Sequence, residues 1–285
     1  MLYRQIFLSA IILFSGLIWL SSCRPNNPAE DKGPKAEEAV KTANAIISET
    51  LGHFKTQTYT ATVNISKVHL SGLKFDDVLR IYSKLGEQDD VRVLMVVKPQ
   101  AERKGSGVLA EIRNKELVSA HRLIPETKRV VPIDSKRNYS NVVIGGLSLQ
   151  DIQMVQGISP FSEIRVVSRG EVNGKLCDEL GVVFSDQSQY QHGQLFTTVA
   201  ERLPVLLRAF NKDGVLVKEI VFDKLEQVGG AWVVKQLTVV EKSFDYTSTF
   251  NFENIQLNTP IEDSVFSVEF LQKGWQEAPV KGRRP

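Results

Sequence analysis

Between Thr56 and Leu257 the sequence is written almost entirely in a period of two, and this pattern limits the fold more than any other feature of the chain. "TQTYTATVNISKVHL" sets Tyr59, Ala61, Val63 and Ile65 on one side of an extended strand and mostly Thr, Asn and Ser on the other. "DDVLRIYSKL", "VRVLMVVK", "GVLAEIRN", "ELVSAHRLI" and "TKRVVPI" continue the series, and "YTSTFNFENIQL" closes it. Asn114-Lys115, Asn173-Gly174, Asp213-Gly214 and Gly229-Gly230 fall between runs, where tight hairpin turns need residues that tolerate a left-handed backbone. Strands joined by short turns, with no helix recurring between them, predict a mainly antiparallel β fold and argue against a doubly wound parallel sheet.

Helical spacing interrupts the strands early on. From Pro34 to about Phe54, the residues Val40, Ala43, Ile47, Leu51 and Phe54 recur at steps of three and four, while Glu37 and Glu38 suit the positive end of a helix and Gly52 its exit. A shorter helix is predicted in "GGLSLQDIQMV", where Ser148 and Asp151 form a capping-box-like start. Ser185 to Ala200 is expected to hold another short helical or mobile segment. An amphipathic helix needs an apolar surface and a curled sheet needs a cover, so the whole reads as an α+β fold: a large curled sheet over an N-terminal helix. If the space between them is partly empty, it is a greasy cavity. Its lining would come from Val40, Ile47, Leu51 and Phe54 on the helix and from Leu94, Val96, Leu109, Val142 and Phe250 on strands; if the space is filled, the same residues are ordinary core.

The N-terminus has a different logic. One basic residue, Arg4, precedes an apolar run from Ile6 to Leu20, which is short of the ~20 residues needed to span a bilayer. Leu20-Ser21-Ser22-Cys23 closes the run and resembles a bacterial lipobox. That resemblance implies a signal peptide over 1–22, acylation of Cys23 and a membrane anchor. "RPNNPAEDKGPK" then reads as a tether completing residues 23–37, ahead of one domain over 38–275 and a tail over 276–285. Arg24 in place of Asp after the cysteine favours the outer membrane, facing the periplasm, over the inner membrane.

Chemistry is thin. His53, His69, His121 and His192 stand alone, with no HExxH, HxH or CxxC, so no metal site or cofactor is implied. Ser106 in "KGSG" lacks the GxSxG spacing, and "IGGLS" lacks a Walker lysine. A net charge of +2, with 35 Lys and Arg against 33 Asp and Glu, gives no field to recruit nucleic acid. With Cys23 lipidated, Cys177 has no intramolecular partner, so the chain is no disulfide scaffold. An enzyme is not expected.

From Met95 to Ile152 the punctuation is more distinctive: Pro99, Lys104-Gly105, Pro125-Glu126-Thr127-Lys128-Arg129-Val130, and Gly145 through Ile152. Later come the Gly230-to-Trp232 strand start and a closing Ile261-x-Asp263-x-x-Phe266. In these respects the chain resembles the lipoprotein-sorting family of periplasmic lipoprotein carriers and their membrane-anchored relatives, over Glu38 to about Leu271. The resemblance implies an unclosed β-barrel plugged by short helices, with a hydrophobic cavity for the acyl chains of a lipid or lipoprotein, working without chemical turnover and in contact with an envelope transporter complex. The rival expectation is an assembly scaffold that keeps the sheet, fills the cavity and docks to an envelope complex.

Overall fold

The computed structural model describes residues 36–87, 90–100, 105–114, 116–133, 146–184 and 190–276. Cys23, the signal segment, the tether up to residue 35, Val142 and the tail beyond 276 lie outside them, as does the side chain of Val40.

Helix α1 (Ala36–Gly52) comes first, followed by β1 (Thr58–His69), β2 (Lys74–Leu85), β3 (Val91–Val97), β4 (Gly107–Arg113), β5 (Glu116–Ile124) and β6 (Arg129–Pro132). Helix α2 (Leu149–Val155) precedes β7 (Phe161–Val172), β8 (Lys175–Phe184), β9 (His192–Thr198), β10 (Pro204–Phe210), β11 (Leu216–Val228), β12 (Ala231–Glu241) and β13 (Tyr246–Leu257). A 3₁₀ turn (Asp263–Phe266) and helix α3 (Val268–Lys273) end the described chain.

All the strands belong to one antiparallel sheet of thirteen, ordered β6-β5-β4-β3-β2-β1-β13-β12-β11-β10-β9-β8-β7. The chain starts in the middle of the sheet, walks out to β6, crosses to the far edge and walks back until β13 pairs with β1. Because β6 and β7 are edges rather than partners, the barrel stays unclosed. The sequence-predicted turns account for this meander. Val172 pairs with Lys175 around Asn173-Gly174, whose φ values of 51 and 74 are those of a type I′ hairpin, and Val228 pairs with Ala231 around Gly229-Gly230.

One expectation fails locally. Ser185 to Ala200 is expected to be helical or mobile; residues 185–189 lie outside the described residues, and His192–Thr198 is strand β9. Its inward positions are Gly193, Leu195 and Thr197, two of which carry little apolar signal, so the alternation is faint in the sequence.

The main core lies on the sheet's α1 face. Ile46, Ile47, Leu51 and Phe54 of α1 and its exit pack with Ile152, Met154 and Val155 of α2 and with inward strand residues such as Val63, Ile81, Met95, Leu180, Leu207, Leu237 and Phe250. Burial of this stripe accounts for a helix whose exposed face carries Asn44, Ser48 and Glu49. At its far end α2 meets α1 closely: Gly157 has φ +80, and a Cβ there would lie 2.5 Å from the Leu51 carbonyl oxygen and 2.8 Å from the Lys55 nitrogen. Gly157→Ala therefore combines a left-handed backbone cost of about 1–2 kcal/mol with a backbone clash. Its urea midpoint is expected to fall by the equivalent of at least about 2 kcal/mol.

A second, smaller core covers the opposite face. Leu94, Val96, Leu109 and Leu123 pack there under Leu271 of α3, with Val265, Phe266, Phe270 and Trp275 around them. The Arg80 guanidinium sits 4.4 Å from the Trp275 ring centroid and holds the end of this cover down.

Candidate functional site

The apolar interior behind α1 and α2 is where the sequence reading places a ligand cavity. Ile47 (5 % exposed), Leu51 and Phe54 enter it from the helix, and Phe250 from β13. The structure does not bring Leu94, Val96 and Leu109 to the same place, and this corrects the expected lining. They belong to the second core, while their neighbours Val93, Met95, Val108 and Ala110 face the first. The reason is that β3, "VRVLMVV", and β4, "GVLAEIR", are apolar on both faces, so a period of two cannot say which face is which.

The interior is closed. Phe161, Phe184, Tyr190, Phe250 and Phe252 are all 2 % exposed or less, and Phe184 packs edge-on against both Phe161 (ring centroids 5.2 Å apart) and Tyr190 (5.1 Å). Two open grooves, of about 950 and 790 Å³, lie elsewhere and are lined by none of Ile47, Leu51, Phe54 or Phe250. Any ligand that enters the interior must part the residues that bury it.

Helix α2 is an unusually polar element for a buried one. Short and buried, α2 and its C-cap residue carry Gln150, Asp151, Gln153 and Gln156 into the interior. Both polar atoms of the Gln153 side chain are buried with no hydrogen-bond partner among the described residues. Each orphan costs about 1–3 kcal/mol, so the seated position of α2 is weaker than its apolar contacts suggest. What holds it is a small ionic network. Lys218 Nζ lies 2.9 Å from Asp151 Oδ2 and donates to the Gly146 carbonyl at 2.6 Å, and it stands 5.1 Å from the Tyr190 ring centroid. The Ser148 amide donates to the same Asp151 oxygen at 2.8 Å, and the Asp151 amide to Ser148 Oγ at 3.2 Å, completing the capping box. At the other end Ser83 Oγ donates to Gln156 Oε1 at 2.7 Å.

Burial disfavours a charged Lys218, but the Asp151 carboxylate and Tyr190 outweigh it and raise the ammonium's pKa above its ordinary value. Burial, and then the charge of Asp151, pushes the Tyr190 phenol up. Glu241, whose carboxylate lies against Gly146, is likewise raised by burial, against the pull of Lys218 and Lys67. Lys218 had no part in the sequence reading, although the signal was there: it shares the inward parity of Ile220 and Phe222, where a lysine is out of place.

Helix α1 has its own fastening. The hydroxyls of Thr50 and Thr197 meet at 3.0 Å, both fully buried, and Glu49 faces Arg202 at 3.7 Å. Arg202 in turn bonds Asp178, which Arg169 Nε reaches at 2.6 Å. Burial alone would raise the Asp178 pKa, yet the two guanidinium groups hold it below the usual carboxylate value. A group depressed in the folded state adds stability that is complete above the unfolded carboxylate pKa of about 4 and is lost as the pH falls through the folded value. Urea midpoints measured down to strongly acid pH should fall more steeply in the wild type than in Asp178→Asn, which has no such proton to take up.

Among the described residues no group of three His, Cys, Asp or Glu side chains could hold a metal ion. Cys177 is buried and free, and burial raises its thiol pKa.

Three comparisons bear on this architecture. A family model described as "-like: Uncharacterized protein" matches residues 89–273. No curated protein matches the chain. Among solved structures, a DUF1329 family protein from Desulfovibrio piger superposes with a TM-score of 0.73 at 19% identity, covering 82% of this chain and 99% of that one. A domain of outer membrane lipoprotein-sorting type from Vibrio parahaemolyticus gives 0.71 at 17% identity, covering 84% and 100%. A LolA superfamily protein from Nitrosomonas europaea gives 0.63 at 11% identity, covering 80% and 98%. At these identities the likeness is one of fold, and the fold is that of lipoprotein-sorting domains.

Proposed function

Because this chain belongs to the uncharacterized-protein family matched over residues 89–273 and folds like lipoprotein-sorting domains, we propose that it is a non-catalytic envelope lipoprotein that holds the acyl chains of a lipid or lipoprotein. The single observation that carries the reading is an apolar interior sealed by a helix with buried, partly orphaned polar side chains. An acyl tail costs on the order of 0.8 kcal/mol per CH₂ left in water, so a carrier needs an apolar volume that opens and reseals. Displacing α2 and α1 uncovers Ile47, Leu51, Phe54 and Phe250 as the inner lining and lets Gln150, Gln153 and Gln156 reach water. In this reading Cys23 carries the lipid that anchors the protein, the outer membrane is its site, and cargo passes to or from an envelope transporter complex.

The packed aromatic interior favours a second reading, the scaffold with a filled core. One experiment separates the two. The chain starting at Arg24 is purified under mild conditions and extracted with organic solvent, and the extract is analysed by mass spectrometry. A near-stoichiometric acyl lipid supports the carrier and identifies its cargo. A protein that is empty on isolation and refuses added phospholipid overturns it in favour of the scaffold.

A further inference from the structure

The β1–β2, β10–β11 and β12–β13 turns gather at one end of the sheet. His69 pairs with Tyr246, Tyr246 with Glu241, Glu241 with Lys218, and Phe210 with Leu216, so these strand ends line up. Here apolar side chains stand where a turn has no need of them: Leu70 is 83% exposed, Phe244 65%, Leu73 59% and Val215 57%. Large apolar groups in water at the tips of adjacent turns mark an interaction surface.

We propose that this rim docks on a phospholipid bilayer, with Leu70, Leu73 and Phe244 entering the acyl layer. The tips are fixed in place: the Leu70 amide donates to the Asp245 carbonyl at 2.9 Å, joining two turns, and the His69 amide donates to the Leu73 carbonyl at 2.9 Å. Directly behind them Tyr246 gathers His69 (ring centroids 4.8 Å apart), Phe75 (6.5 Å) and the Lys67 ammonium (4.5 Å from the ring centroid). Apolar tips backed by aromatic rings with a polar edge match the gradient from acyl chain to headgroup. Lys67, Lys74 and Lys242 flank the tips, so their ammonium groups can reach lipid phosphates while their stems stay among apolar groups. Asp76, Asp77 and Asp245 offset much of that charge, so insertion rather than electrostatic attraction dominates.

The attachment of the N-terminal segment points the same way. Asn44 of α1 lines a groove with Ser162, His192 and Gly214, on the side of the β10–β11 turn, whereas His53 accepts from the Trp232 amide beside the opposite turn at Gly229-Gly230. Helix α1 therefore begins at the rim that bears the apolar tips. Cys23 is 13 positions before Ala36, a reach of at most about 45 Å, so an anchor there tethers this same rim to the bilayer. The inference rests on the envelope reading for the membrane's identity, and it is independent of whether the interior takes cargo.

The test uses the unlipidated chain from Arg24 and sedimentation with vesicles of phosphatidylcholine and phosphatidylglycerol. Leu70→Ser with Phe244→Ser is expected to weaken binding at least about tenfold while leaving the urea midpoint unchanged, because both side chains are already exposed. Val118→Ser, exposed at the other end of the sheet, should bind like wild type. Phe244→Trp should gain a blue-shifted emission on adding vesicles. Equal binding by the double variant and the wild type, or no binding by either, overturns the proposal. A double variant that still yields acyl lipid on extraction separates docking from cargo capture; a wild type that binds vesicles through these tips yet is empty keeps the rim and removes the carrier.

Discussion

Lys218→Met is expected to be the most destabilising single change in the protein, costing about 3–5 kcal/mol in urea-induced unfolding. The methionine fills a similar volume, so the loss does not come from packing. It comes from Asp151, which is 1% exposed and would lose its one cationic partner, keeping only the Ser148 amide at 2.8 Å and the Tyr190 hydroxyl at 3.4 Å. Adding Asp151→Leu removes the stranded carboxyl group, and the double variant should recover most of the stability, falling short by about 1 kcal/mol for the lost cap. The coupling read from the four proteins then isolates the pair. A single-variant loss below about 1 kcal/mol would mean that α2 is held by its apolar contacts alone.

The second large effect is on capture rather than stability. Thr50→Cys with Thr197→Cys replaces two buried hydroxyls 3.0 Å apart by thiols and allows a disulfide between α1 and β9. If α1 must lift for an acyl chain to enter, the oxidised protein should take up a fluorescent fatty acid at least about tenfold more weakly, because the open form is removed from the equilibrium. Reduction should restore uptake, which rules out damage to the lining itself. Equal uptake in both states would assign the whole opening to α2. Cys177 does not confuse the readout, being buried by the β7–β8 hairpin end, where its thiol donates to the Lys175 carbonyl.

Much of the fold was legible because its signals are local. Alternation in β1, the Asn173-Gly174 and Gly229-Gly230 turns, the stripe on α1 and the Ser148–Asp151 cap each depend on residues a few positions apart. The interior was half legible. Ile47, Leu51, Phe54 and Phe250 do share a core, but Leu94, Val96 and Leu109 turned out to face α3, because strands that are apolar on both faces carry no mark of side. The polar fastening of the helices was not read at all, since Asp151 and Lys218 are 67 residues apart and Thr50 and Thr197 are 147 apart.

The sequence alone therefore determined the antiparallel sheet, the two helices that cover its inner face and the order in which they occur, since period, turn chemistry and caps act within a few residues. Only the tertiary structure decided which face each strand presents, that β6 and β7 remain edges, that the interior is closed, and that a buried lysine holds the plug. Those outcomes depend on where the chain doubles back on itself, and burial, desolvation and ion pairing take their values only after segments distant in sequence have been brought together.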